Sequence, residues 1–435
     1  MTKIQNVKAP LDFTAQWVHE EAARRLGVSE DALGPVRLLR KSLDARRRGN
    51  IHYVLTIGVG DEEEAERVGM EWPFSHAPVV VGSGPAGLFA ALTLARAGAR
   101  PLVLERGGPI SERQMAVERF WAGGPLDPDC NVQFGEGGAG TFSDGKLTTG
   151  ISDPRVAEVL YELHRCGAPE EILYEAKPHI GTDLLVDVVR RLREAIEALG
   201  GRVEFRAKFT DFRIEGGRVS HAVYEQGGTE ITIPTGHIVL AAGHSARDLF
   251  EWLYEKGVPL QQKSFSVGLR VEHRQDAINR AMYGELADTG LLPAADYKLA
   301  VRLPSGRGVY TFCMCPGGLV VAAASEPGGI VVNGMSYHAR AGERANSALL
   351  VGVTPGDFGS DHPLAGIAFQ REIERRAYGV SGRYLAPACT VGEFILRRFA
   401  PPPSTEGGHL PPVKPAPQSP RSYSPSPSLD SPEDQ

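Results

Sequence analysis

Val79-Val80-Val81-Gly82-Ser83-Gly84-Pro85-Ala86-Gly87, then Leu88 to Ala97, then Pro101-Leu102-Val103-Leu104-Glu105, is the stretch that decides the fold. The valine run is short and continuously apolar, as in a parallel strand buried on both faces. The Ala/Leu-rich segment ends at Gly98 and reads as a helix, and Pro101 to Glu105 reads as a second buried strand. The whole has the length of one strand–helix–strand unit. Each glycine in the turn has a task. Gly82 allows the sharp exit from the strand, Gly84 lets a pyrophosphate approach bare backbone, and Gly87 lets the helix lie close to the sheet. The uncapped N–H groups of the helix then face the anion, and the helix dipole favours it. Glu105 stands where a carboxylate can accept from both ribose hydroxyls, and where it would repel a 2′-phosphate. The pattern therefore predicts a dinucleotide held by Gly82, Ser83, Gly84, Pro85, Ala86, Gly87, Glu105 and Arg106.

Outward from that unit, the chain divides into four parts. Residues 1–75 read as a small α+β domain, with a helix over Thr14 to Leu26 and strands over Val36 to Ala45 and Ile51 to Val59. Residues 76–260 form the dinucleotide-binding domain. Helices are expected at Arg155 to Cys166 and Thr182 to Leu199, and a strand at Val203 to Phe209. An antiparallel meander punctuated by Gly216-Gly217 and Gly227-Gly228 follows, and then a buried run from His237 to Gly243. Residues 261–400 are rich in short strands, including Phe265 to Glu272, Val309 to Cys315 and Ala348 to Val353, with a helix near Gly366 to Arg376. Residues 401–435 hold 11 Pro and 7 Ser, too little apolar surface to offset ordering entropy, so disorder is expected there. The expected class is α/β: a three-layer Rossmann-like domain with a β-meander, a β-rich substrate domain, and the small N-terminal α+β domain.

Composition narrows the function. The 435 residues are 42% hydrophobic and 23% charged, with a formal net charge of -6, which suits a globular chain and not a general nucleic-acid binder. The Arg37, Arg40, Lys41, Arg46, Arg47 and Arg48 group reads as a solvated basic face. Five scattered cysteines make no disulfide framework and fit a reducing compartment. The N-terminus MTKIQNVKAPLDF has no apolar signal region, and no apolar run reaches about 18 residues, so a cytoplasmic chain without membrane contact is expected. No HExxH, HxxxH or GxSxG pattern occurs, so neither a metal site nor a serine hydrolase is expected.

A plain NAD domain would continue as repeated strand–helix units. This chain instead inserts a Gly-rich passage, helices and a meander before Leu240-Ala241-Ala242-Gly243, an order similar to FAD proteins of the glutathione-reductase type. From 78 to about 400 it resembles the bacterial FAD-dependent dehydrogenases known as NAD(P)/FAD-dependent oxidoreductases. The resemblance rests on VVVGSGPAGLFAALTLARAG (79–98), NVQFGEGGAGTFSDGKL (131–147), FSVGLRVEH (265–273), YTFCMCPGG (310–318) and NGMSYHAR (333–340). It implies bound FAD, a glutathione-reductase-type nucleotide domain, and a redox activity that leaves the organic substrate open. With a single GxGxxG, NAD(P)H is left as a transient reductant over the flavin. That family continues into a segment closing over the flavin, where this sequence turns Pro/Ser-rich after Phe399. The expectation is a truncation or frameshift there, with an exposed sheet edge as its consequence. A non-catalytic nucleotide-binding remnant or interaction module is the alternative function.

Several further residues are candidates. Gly135, Gly137, Gly138 and Gly140 permit close approach to a flat ring or a phosphate. Gly243 ends a strand where ligand-facing groups collect. Lys146 is expected to stabilise negative charge at the flavin N1–C2 edge. His244 is a candidate proton shuttle. Cys313 and Cys315, at period two in a strand, are expected to face one side, with Cys315 the third catalytic candidate after Lys146 and His244.

Overall fold

The computed structural model describes residues 1–61 and 71–399. Most of the charged run at 61–66, and the Pro/Ser-rich residues 401–435 with the ending inferred from them, lie outside the described residues.

The N-terminal unit comprises β1 (Thr2–Ala9), α1 (Ala15–Leu26), β2 (Val36–Asp44) and β3 (His52–Val59), with the sheet ordered β1-β3-β2. Thr14 caps α1 through its side chain, and Gly27 ends it in a left-handed conformation. Val18 and Ala22 of α1 pack on Val7, Leu55 and Ile57 of the sheet. β1 is an addition to the two strands expected here: six of its eight residues face water fully or in part, so its sequence carries little apolar alternation.

Next come β4 (Val79–Val81), α2 (Pro85–Arg96), β5 (Leu102–Leu104), α3 (Ile110–Trp121), α4 (Arg155–Arg165), α5 (Thr182–Ala198), β6 (Arg202–Glu204), β7 (Ala207–Glu215), β8 (Arg218–Gln226), β9 (Thr229–Pro234), β10 (Ile238–Leu240) and α6 (Arg247–Glu255). The parallel sheet runs β10-β4-β5-β6, and the antiparallel meander β7-β8-β9 is a sheet of its own. Alternation along the central strands divides two cores. Val80 and Val103 face Leu88, Leu92, Val188 and Leu192 of the helical layer. Val79, Val81, Leu102 and Leu104 face Phe209, Ala222 and Tyr224 of the meander. This gives three layers, helices–sheet–meander, with β4 and β5 buried on both sides.

Two expectations need correction. The strand expected over Val203 to Phe209 is two strands in two sheets, because Arg206 takes a left-handed φ of 53° and redirects the chain between them. The run from His237 to Gly243 is not buried. β10 is the sheet edge, with Val239 36% and Leu240 44% exposed.

The remainder holds β11 (Phe265–Arg274), α7 (Gln275–Tyr283), β12 (Ala300–Arg302), β13 (Gly308–Cys315), β14 (Leu319–Ala322), β15 (Val332–Met335), β16 (Arg344–Val353), α8 (Ala365–Ser381) and α9 (Val391–Phe399). Four strands form an antiparallel sheet ordered β11-β16-β13-β12, and β14 pairs with β15. Val117 of α3 and Val132 and Phe142 of the Gly-rich passage pack on Val321, Ala323 and Met335. That contact seats the passage between the parallel sheet and the β-rich layer. No helix among the described residues is long and apolar enough to cross a membrane.

Candidate functional site

The C-terminal end of the parallel sheet opens into a cleft of about 290 Å³. Its lining includes Gly82, Gly84, Pro85 and Ala86 from the turn into α2, and Glu105 and Arg106 from the end of β5. Gly138, Ala139 and Gly140 line it from the Gly-rich passage, and Gly243 and His244 from beyond β10. All of these but Ala139 are sequence-predicted, and they converge. Ser83, Gly87 and Gly137 do not line the cleft; they build its floor. Ser83 is fully buried, and its carbonyl accepts from the Gly137 N–H at 2.9 Å.

The backbone here has no room for side chains. Gly82 has φ +100°, and a Cβ on it would strike the carbonyl of Ala241. A Cβ on Gly138 would strike the Cα of Gly84. Two glycines therefore bring the turn and the passage together. No side chain caps α2, whose first residue is Pro85, so the donors of its first turn are left to a ligand. A bare-backbone cradle at an uncapped helix start suits a diphosphate.

Glu105 holds this arrangement from below. It is 4% exposed. One carboxylate oxygen accepts from the Ser83 N–H and O–H, both at 2.8 Å. The other accepts from the N–H groups of Gly107 and Gly135, both at 2.9 Å. Its acceptor sites are thus engaged by the turn and the passage. Arg106 donates to Asp248 at 2.9 Å and lies over the Phe134 ring, which fixes one wall. Burial would raise Asp248, but Arg106 and Lys208 outweigh it and hold the carboxyl below its ordinary value.

Sequence reasoning missed Arg113. Its guanidinium is fully buried and donates to the carbonyls of Asn131, Val132, Glu136 and Gly138 at 2.6–2.9 Å. Four carbonyls of the passage therefore converge on one side chain. Burial pulls Arg113 down to about 10, which leaves it charged at neutral pH. The available signal was its place on the apolar face of α3, in line with Ile110, Val117 and Phe120, all buried. Glu136, also fully buried, accepts from the Ile110 N–H at the start of α3 and from Arg193.

His244 stands at the cleft, and its imidazole sits below the usual value because nearby protein displaces water and Arg247 adds a like charge. Lys146 does not line the cleft. It donates to Asp144 at 2.8 Å, and Asp144, 1% exposed, also accepts from Arg340 and Ser336. Burial works to raise Asp144, but Lys146 and Arg340 overcome it and hold the carboxyl low. Cys313 and Cys315 lie beside this cluster. The alternation expected to place them on one face is broken: β13 shifts register between Phe312 and Cys315, and Cys313 takes φ 45°. The Cys315 thiol donates instead to the backbone carbonyl of Cys313 at 3.4 Å. All five cysteines are free.

Residues 76–280 match the family described as pyridine nucleotide-disulphide oxidoreductase, residues 264–409 the FAD-dependent protein, C-terminal domain-like family, and residues 1–60 a domain of unknown function. An uncharacterized protein of Clostridium beijerinckii is 44% identical over 421 residues, covering 92% of this chain and 78% of that protein. Among solved structures, the flavin-dependent brominase Bmp2 is 14% identical with a TM-score of 0.34, over 70% of this chain and 64% of that chain. Glycerol-3-phosphate dehydrogenase from Bacillus halodurans, complexed with FAD, is 13% identical with a TM-score of 0.33, over 70% and 54%. This chain spans less than two thirds of either solved chain.

Proposed function

The chain belongs to a family of FAD-dependent oxidoreductases, and from that premise we propose that it is a dehydrogenase exchanging hydride with a small organic substrate. The observation that carries this reading is the cleft itself. The turn into α2, the end of β5, the Gly138–Gly140 segment and the Gly243–Ser245 segment meet around one space. When bound, FAD supplies the hydride acceptor and donor.

The protein's own residues supply position and charge. The first turn of α2 receives the diphosphate, with Gly84 and Gly138 presenting backbone in place of side chains. Glu105 keeps Ser83 and Gly135 in register beneath it. Arg106, fixed by Asp248, walls one side. His244, whose imidazole is held below its usual value by lost hydration and the Arg247 charge, is the titratable group at the cleft to exchange a proton. NAD(P)H is the transient reductant in this reading.

The test is direct. Purified full-length protein titrated with FAD should develop a bound-flavin band near about 450 nm, and anaerobic NAD(P)H should bleach it. Calorimetry should show FAD binding more tightly than ADP. Equal affinity for FAD and ADP with no bleaching would support the non-catalytic nucleotide-binding alternative instead.

A further inference from the structure

Glu105 lines the nucleotide cleft, yet it has no acceptor site left to offer a ligand. A carboxylate carries about four lone-pair sites. Four donors of the protein itself fill them in a residue 4% exposed. The Ser83 N–H and O–H take one oxygen, both at 2.8 Å, and the N–H groups of Gly107 and Gly135 take the other, both at 2.9 Å. The sequence puts Glu105 where the ribose hydroxyls of a dinucleotide would be read. A ribose hydroxyl arriving there finds every site occupied.

The four donors are not equally fixed. Three are main-chain N–H groups. Gly107 and Gly135 press together so closely that a Cβ on Gly107 would strike the Gly135 backbone, so neither N–H can withdraw alone. The Ser83 backbone is held as well, because its carbonyl accepts from the Gly137 N–H at 2.9 Å. The fourth donor is a hydroxyl. Rotation about a single bond takes its hydrogen away and leaves the rest of the arrangement in place. The Ser83 hydroxyl is therefore the exchangeable member of the set.

Its place makes that exchange consequential. Ser83 stands between Gly82 and Gly84, which both line the cleft with Glu105, while Ser83 itself is fully buried. The hydroxyl thus meets the carboxylate from beneath and the cleft meets it from above. For a ribose hydroxyl to bond with Glu105, the Ser83 hydroxyl has to leave, and it loses a charge-assisted bond of the same kind in a place closed to water. One such bond replaces another, and the sugar gains little.

We propose that Ser83 is a specificity-determining residue: its hydroxyl holds the acceptor site on Glu105 that a ribose hydroxyl would otherwise take, so the cleft selects its nucleotide by the diphosphate and not by the sugar hydroxyls. The inference rests on the reading of the cleft as a nucleotide site. Ser83→Ala keeps the Cβ and the backbone N–H and removes only the exchangeable donor. The freed lone pair of a buried carboxylate then gains from any hydroxyl that reaches it, and the ribose begins to count.

The experiment is calorimetry on the full chain with two probes, ADP and 2′,3′-dideoxy-ADP. In the wild-type protein their dissociation constants should agree within about twofold. In Ser83→Ala, ADP should bind about tenfold more tightly than the dideoxy nucleotide. A tenfold preference for ADP in the wild-type protein would overturn the proposal. So would a folded Ser83→Ala variant that binds the two probes equally. Either result leaves the cleft standing as a nucleotide site. Should Ser83→Ala not fold, the wild-type ratio decides alone. Failure of both probes to bind the wild-type protein would remove the nucleotide reading itself, and this inference with it.

Discussion

Glu105 accepts from both the backbone N–H and the hydroxyl of Ser83, each at 2.8 Å, so the end of β5 is tied to the turn that follows β4. The same carboxylate takes the N–H groups of Gly107 and Gly135. It therefore joins the nucleotide turn to the Gly-rich passage 30 residues further along the chain. Glu105→Gln keeps the size but turns an amide NH₂ toward buried donors. The expected loss of stability is about 1–3 kcal/mol, read as a lower urea midpoint at unchanged slope. FAD and ADP affinities should fall together, because the floor of the cleft moves for both.

Arg113 holds the passage from the other side. Its removal leaves four carbonyls without their donor in a place closed to water. Arg113→Met should cost about 3 kcal/mol or more. Arg113→Lys should cost nearly as much, since one ammonium cannot span carbonyls spread from Asn131 to Gly138. Denaturant unfolding of the two variants checks this. A lysine variant as stable as the wild type would mean that the charge, and not the forked geometry, organises the passage.

The nucleotide turn was readable because its determinants are local. Three buried valines, three spaced glycines and an Ala-rich helix lie within one short window, and no distant residue changes their reading. The Gly-Gly turns of the meander were readable for the same reason: Gly216, Gly217, Gly227 and Gly228 all take positive φ. Elsewhere the deciding contacts are remote. β1 is identified as a strand by its pairing with β3, not by its own polar sequence. The break at Arg206 follows from two sheets competing for one run of residues. The exposure of Val239 and Leu240 follows from β10 lying at an edge. The Asp144, Cys313 and Arg340 cluster draws on three separated segments, and no spacing rule links them. Arg113 lay between these cases: its position on an apolar helix face was visible, but its acceptors were not.

Acid should weaken the fold in a first step set by histidines. Lost hydration beside neighbouring protein lowers His179, His244 and His273, with Arg340 adding to the effect at His179 and Arg247 at His244. A lowered folded-state pKa means the unfolded chain holds the proton more tightly. Stability is then complete above the unfolded value of about 6.5 and declines as pH falls below it. Asp144, Asp248 and Glu326, held low by their cationic partners, should add a second decline in the carboxylate range. Thermal unfolding from neutral to mildly acid pH should show a falling midpoint. A midpoint that rises toward about pH 5.5 would contradict the lowered values of these imidazoles.

Gly84 and Gly87 separate what folding needs from what the nucleotide needs. A Cβ on Gly87 would overlap the carbonyl oxygen of Gly82, so Gly87→Ala should fail to fold or unfold far below the wild type. Gly84 differs. Its φ of -69° and ψ of 177° suit any residue, and a Cβ there meets only Gly138 Cα, at 3.8 Å. Gly84→Ala should therefore keep its stability within about 0.5 kcal/mol. The new methyl would stand in the cleft, where the diphosphate needs bare backbone, so FAD and ADP affinities should both fall by about tenfold or more. Calorimetry on a folded Gly84→Ala variant that binds both ligands as the wild type does would show that the diphosphate does not lie over this turn.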